Sequence, residues 1–189
     1  SCLGSFYIAL RNIVQILITC CKIRIGDQLF LESNMSLEAT KELAPTGVLR
    51  AAINMSNFLL VTGKTAAGEP DGVSPDMARE LAKRLNVELE LLQYKTPGEV
   101  SDDAGKGIWD IGNIGAEPKR AERIDFTAAY CEIQSTYMVP PGSEITSLEQ
   151  VDQKGIRIAV SARSAYDLWL ERNIKNAELV RVDGIDASF

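Results

Sequence analysis

Histidine is absent from all 189 residues. That absence removes Ser-His-Asp and Cys-His nucleophile systems, imidazole metal sites and the commonest general base together. Cysteine is sparse: Cys2, Cys20, Cys21 and Cys131 form no C-x-x-C pair, and the adjacent Cys20 and Cys21 do not easily bridge one another. Neither a zinc site nor a disulfide framework is signalled, and no cofactor is called for. There is no clustered run of Lys and Arg, and the net charge is −6 with a pI near 4.8. Neutralising phosphates needs clustered positive charge, so nucleic acid is not an expected partner. No apolar run is long enough for a membrane-spanning helix.

What is present is the material of a globular α/β protein. Apolar residues make up 46% of the chain, enough for a core, and the length suits one domain or part of a two-lobed protein. The first 34 residues stand apart. FYIALRNIVQILITCC (6–21) is apolar but interrupted by Arg11, Asn12 and Gln15, and LITC is a poor lipoprotein cleavage box because Thr19 replaces a small residue. A targeting segment, an amphipathic helix and sequence upstream of a start at Met35 are all open readings of it.

Strand and helix then alternate. GVLRAAI (47–53) reads as a buried strand, and TGKTAAGEPDG (62–72) as a hairpin or surface excursion. A helix follows, capped by Ser74 with Pro75 at its first position; Met77, Ala78, Leu81, Ala82 and Leu85 share one face, and it ends near Asn86. VELELLQ (87–93) has the two-residue period of a half-covered strand, so the unit is parallel. TPGEVSDDAGKG (96–107) is a poor helix former, and IWDIGNI (108–114) is a third strand. CEIQSTYMVP (131–140) is a long strand stopped by Pro140 and Pro141. Beyond it come a capping box at SLEQ (147–150), a strand at GIRIAV (155–160), an amphipathic helix capped by Ser164, and a strand at AELVRV (177–182).

Three segments carry a resemblance: GVSPDMARELAKRL (72–85), WDIGNIGAEPKRAERIDFTAAY (109–130) and IRIAVSARSAYDLWL (156–170). Their order and spacing resemble family 3 bacterial solute-binding proteins, the amino-acid-type substrate-binding components of ABC importers, over residues 43–182. The resemblance implies the type II periplasmic-binding fold, two α/β lobes closing on a ligand. It divides the chain into a non-family segment (1–34), a nearly complete first lobe (43–138) and a partial second lobe (139–189), with the chain ending inside the second lobe. It also implies a small carboxylate-bearing solute as ligand, an ABC permease as partner and a periplasmic location. A cytoplasmic location stays open because the leader is unconvincing.

By the same resemblance, Arg120 and the backbone at Asn113 and Gly115 hold the ligand carboxylate. The chemistry agrees: a guanidinium fork makes two parallel charge-assisted hydrogen bonds to a carboxylate, and glycine lets the main chain approach closely. Lys119, Glu122 and Arg123 read as solvated charge. Asn54 stands where relatives place an acid for the ligand amino group. Asn57 stands where they place an aromatic, which Tyr94 would supply unless it packs on the core. Ser161, Arg163 and Ser164 map to the closing loop of the second lobe, and Arg163 replaces a usual glycine. Two other functions stay open: a small-carboxylate dehydratase on the same fold, with Glu117 as acid or base, and an incomplete fragment without function.

From sequence alone, deleting residues 1–34 is expected to leave the fold intact, since the segment breaks the strand-helix rhythm and reads as an unanchored terminus, which contributes little. Thermal unfolding of the shortened chain checks this; a melting temperature lower by many degrees would show that the segment belongs to the fold.

Overall fold

The structure is a computed structural model that describes residues 6–10, 37–130 and 135–188. All four cysteines, Met35, residues 11–21 of the apolar N-terminal segment and the first four residues of the 131–140 strand lie outside the described residues. The fold is α/β, with two sheet-and-helix units.

The first unit is built around a central strand. After β1 (Phe6–Leu10) and α1 (Leu37–Leu43), the chain enters β2 (Val48–Asn54), then the short antiparallel hairpin β3 (Gly63–Lys64) and β4 (Pro70–Asp71). Helix α2 (Val73–Leu85) leads to β5 (Glu88–Tyr94), and α3 (Pro97–Asp102) leads to β6 (Ile111–Gly112). The strand order is β5-β2-β6, and both pairings are parallel. β2 is covered on both faces, as a central parallel strand must be. Leu49, Ala51 and Ile53 pack towards Ala78, Leu81 and Leu85 of α2, whereas Ala52 faces Val100, Ala104, Ile114 and Ile124.

Helix α2 begins earlier than its sequence suggests. Its N-cap is Gly72, not Ser74, and Gly72 has φ 128°, a conformation reserved for glycine. A Cβ there would lie 2.6 Å from the Leu60 carbonyl oxygen and 2.9 Å from the Thr62 nitrogen, so the loop is packed directly on the bare backbone. Ser74 is left inside the first turn, where it is buried and its hydroxyl accepts a hydrogen bond from Asn113 Nδ2 at 2.8 Å. The other end matches the expectation: Asn86 is the C-cap in the left-handed conformation. α3 forms despite Gly98 and the acids around it because of a full capping box, with Thr96 Oγ1 accepting from Glu99 N and Glu99 Oε2 accepting from Thr96 N.

A single helical turn, α4 (Pro118–Ala121), follows β6, and β7 (Ser135–Val139) leads into the second unit. β1 pairs antiparallel with β7, from Phe6 opposite Val139 to Leu10 opposite Ser135. Phe6–Leu10 is therefore strand, where an amphipathic helix was among the readings, and the pairing ties this part of the 1–34 segment to the fold; Phe, Tyr and Ile favour the pleated conformation.

The second unit contains a 3-10 turn at Leu148–Gln150 with the expected capping box of Ser147 and Gln150, strand β8 (Arg157–Ser161), helix α5 (Ala165–Asn173) and strand β9 (Glu178–Val182). β8 and β9 are parallel, and Val151, Ile158, Val160 and Leu170 form their core with Tyr137 and Trp169 against it.

Gly72→Ala is expected to destabilise the chain by about 1–3 kcal/mol, because a Cβ both clashes and forces a disfavoured φ. Urea unfolding measures it; an unchanged midpoint would mean that the loop from Leu60 to Thr62 yields freely.

Candidate functional site

The site forms where the C-terminal ends of β2 and β6 meet the loop between β8 and α5. Position along β6 is set by a partly buried ion pair. Asp110 accepts from Arg50 Nη2 at 2.6 Å and from Arg50 Nε and backbone N at 2.9 Å, and its own N–H donates to the Arg50 carbonyl at 2.9 Å. The Asn113 to Ser74 bond then ties the strand end to α2. Ile114 and Gly115 leave the sheet at a fixed place.

A cavity of about 80 Å³ opens there. Its wall brings together Asn54, Asn57, Gly115, Arg120, Ser161 and Ser164, six positions marked in the sequence. The volume lies well below the roughly 300–1,000 Å³ of pockets for drug-sized ligands, so it suits a small solute.

Arg120 is only 3% exposed. Its Nη1 donates to the Gly115 carbonyl at 2.8 Å and its Nη2 to the Arg163 carbonyl at 3.0 Å, while the buried Nε has no partner. Burial lowers its pKa to about 10, opposed by the nearby Glu117 carboxylate and assisted by the Arg163 charge. The guanidinium thus keeps its charge at neutral pH. Glu117 is buried and pairs with Arg172 of α5. Lys119, Glu122 and Arg123 are exposed.

Asn54 is buried, and its Oδ1 accepts from both Ser56 N at 3.2 Å and Ser56 Oγ at 2.8 Å. With both lone pairs engaged, the side chain can offer a ligand only its N–H donors. Asn57 organises the following turn. Its carbonyl accepts from Leu60 N and Val61 N, and its Oδ1 accepts from Leu59 N. That turn sets Phe58 and Leu59 on the cavity wall, 60% and 49% exposed. In the second unit Ser164 is the N-cap of α5, its Oγ accepting from Asp167 N at 3.1 Å, and Ser164 N donates to the Ser161 carbonyl at 3.3 Å. Tyr166, in the first turn of α5, completes the wall on that side.

Two marked positions lie off this wall. The Asn113 side chain is turned to Ser74. The Tyr94 ring packs on the core of Ala52, Val100 and Ile114, and its hydroxyl donates to Asp103 Oδ2 at 3.0 Å. Burial, with the Asp103 bond and charge, pushes its pKa up to about 12. Phe58 and Tyr166 were missed from sequence; the available signal was an apolar pair, Phe58-Leu59, directly after a turn-forming Ser-Asn.

The profile of bacterial extracellular solute-binding proteins, family 3, matches residues 52–182, more than half of the chain. The chain belongs to this family. Among curated members, the L-cystine-binding protein TcyJ of Escherichia coli strain K12 is 27% identical over 117 residues, covering 61% of this chain. The chain spans 44% of the length of that solute-binding protein. Solved structures of similar fold include the ancestral amino acid-binding protein AncCDT-1, a precursor of cyclohexadienyl dehydratase, with a TM-score of 0.61, 19% identity, and coverage of 80% of this chain and 67% of that one. The cysteine-binding protein from Campylobacter jejuni has a TM-score of 0.59 and 19% identity, with coverage of 80% and 61%. ArgBP of T. maritima, as its P235GK mutant, has a TM-score of 0.60 and 20% identity, with coverage of 80% and 66%. These likenesses fix the fold as that of the type II periplasmic-binding proteins. None of the described helices is long and apolar enough to cross a membrane.

Proposed function

We propose that this solute-binding chain captures a small amino-acid-like solute through its carboxylate. The observation that carries this reading is the buried Arg120 on the cavity wall, with its Nε unpartnered and its two terminal nitrogens resting on neutral carbonyl oxygens. A carboxylate supplies the negative charge that those carbonyls lack, and charge-assisted bonds are about twice as strong as neutral ones. Asn54 adds N–H donors, Ser161 and Ser164 close the polar side, and Phe58 and Tyr166 supply apolar surface for the rest of the solute. Residues 43–138 act as one lobe and 139–189 as part of the other. Membership of the extracellular solute-binding family supports delivery of the solute, outside the cytoplasm, to an ABC permease.

A binding role fits the wall better than dehydration does. Among the described residues no lining side chain is a carboxylate, and Glu117, the one acid considered for such chemistry, is paired with Arg172. An elimination needs a group placed to take and return a proton.

A thermal-shift screen of L-cystine, L-cysteine, L-lysine, L-arginine and small organic acids, followed by calorimetry on the best solute, tests the reading. Arg120→Lys keeps the charge but loses the fork, and Arg120→Ala loses both. Each is expected to weaken binding about ten- to a hundredfold, from roughly 1.5–3 kcal/mol per charge-assisted bond. An unchanged dissociation constant would return Arg120 to a purely structural role.

Affinity is expected to change by less than about threefold between pH 6 and 8. The chain has no histidine, Arg120 stays charged until pH approaches about 10, and a solute carboxylate is ionised throughout. A step in affinity within that window, read by calorimetry at several pH values, would show that another group governs binding.

A further inference from the structure

Arg163 is the one non-glycine residue besides Asn86 with positive φ among the described residues, at φ 60°. Its contacts run in three directions. The backbone N–H donates to Asp167 Oδ2 at 2.7 Å, within its own lobe. Its carbonyl accepts from Arg120 Nη2, across the cleft. Its side chain also crosses: Nη2 donates to the Gly98 carbonyl at 3.0 Å and pairs with Asp102, both on α3 of the first lobe. The fit is close, since a Cβ on Gly98 would lie 3.0 Å from Arg163 Cζ and 3.1 Å from its Cβ and Nε. Behind it, the buried Asp167 is held by Arg181 Nε at 2.8 Å.

We infer that Arg163 is a clasp between the lobes, a positioning residue whose side chain grips α3 at Gly98 and Asp102 while its carbonyl holds the Arg120 guanidinium. The disfavoured backbone conformation fits this role. A glycine would adopt φ 60° without strain, so the arginine is tolerated there at a local cost that contacts across the cleft offset. Asp102 and Arg163 are about half exposed, so the ion pair by itself contributes little; the bond to the Gly98 carbonyl and the packing on its bare Cα add to it. Arg172 with Glu117 makes a second, separate crossing and is left unchanged in the test.

Hydrogen exchange on the 189-residue chain without solute reads the clasp directly. Arg163→Gly relieves local strain yet removes the grip, so amides of α3 in the opposite lobe are expected to exchange about three- to tenfold faster. Gly98→Ala provides an independent variant with the opposite local bias. Alanine favours a helix, so a local effect alone would slow exchange in α3, whereas displacement of Arg163 by the new methyl is expected to speed exchange across 161–167. Arg163→Gly combined with Asp102→Asn is expected to add little to Arg163→Gly alone, because both remove one contact. Exchange in α3 unchanged by Arg163→Gly, slower exchange in Gly98→Ala without change in 161–167, or fully additive effects would each overturn the clasp. Since no solute is present, failure here is separate from failure of the carboxylate reading.

Discussion

A guanidinium buried to 3% exposure is the constraint around which both lobes are arranged. Taking such a charge out of water is costly, and it persists only with good acceptors around it. Here those acceptors come from two places far apart in sequence: the Gly115 carbonyl from the first lobe and the Arg163 carbonyl from the second. Both are neutral. The lowered pKa of Arg120 has burial as its main cause and records incomplete compensation. A site that hydrogen-bonds a cation through carbonyl dipoles, with the nearby Glu117 carboxylate paired to Arg172, gains most when an anion arrives, which is why the same residue serves structure and recognition.

The surrounding framework fixes where those carbonyls sit. Arg50 and Asp110 lock β6 beside β2, and Asn113 with Ser74 locks the strand end to α2, so Gly115 cannot drift without breaking bonds on both sides. On the other lobe Asp167 holds Arg163 N from within α5 and is itself held by Arg181, while Ser164 caps the same helix. Polar bonds of this kind specify position more than they add stability. The rigid placement of Arg120 is therefore a product of six side chains off the cavity wall, Arg50, Asp110, Asn113, Ser74, Asp167 and Arg181, together with Ser164 on it.

Much of this architecture was legible in the sequence, for a physical reason: periodicity reports burial directly. The alternation at Val87–Leu91 and the apolar face of Met77–Leu85 were enough to place β5 and α2, and the Ser147 and Ser164 caps follow from side-chain chemistry alone. Gly72 as N-cap was not legible, because its role depends on the Leu60–Thr62 backbone packing against it, a contact between segments. Placement of Phe58 and Leu59 was hidden likewise, since apolar residues in a loop look the same whether they turn inward or line a cavity. Tyr94 sat at a strand end where either outcome was open; only the position of Asp103 directs its hydroxyl to α3 rather than the cleft.

The cross-cleft contacts also bear on how the second lobe holds together. A two-stranded sheet is marginal by itself in water, and β8 with β9 is the sheet that the described residues build there, backed by α5 and the core around Val151 and Leu170. Each contact from that lobe to the first therefore does more than orient it. Arg163 on Gly98 and Asp102, Arg172 on Glu117, and Arg120 on the Arg163 carbonyl all fall around β8, α5 and the loop joining them. Fixing that loop fixes the N-terminus of α5 and the end of β8 at once, so the stability of the second lobe and the geometry of the cavity depend on the same few bonds. The coupling follows from this shared position: whatever holds the loop onto Arg120 also orders the lobe that carries it.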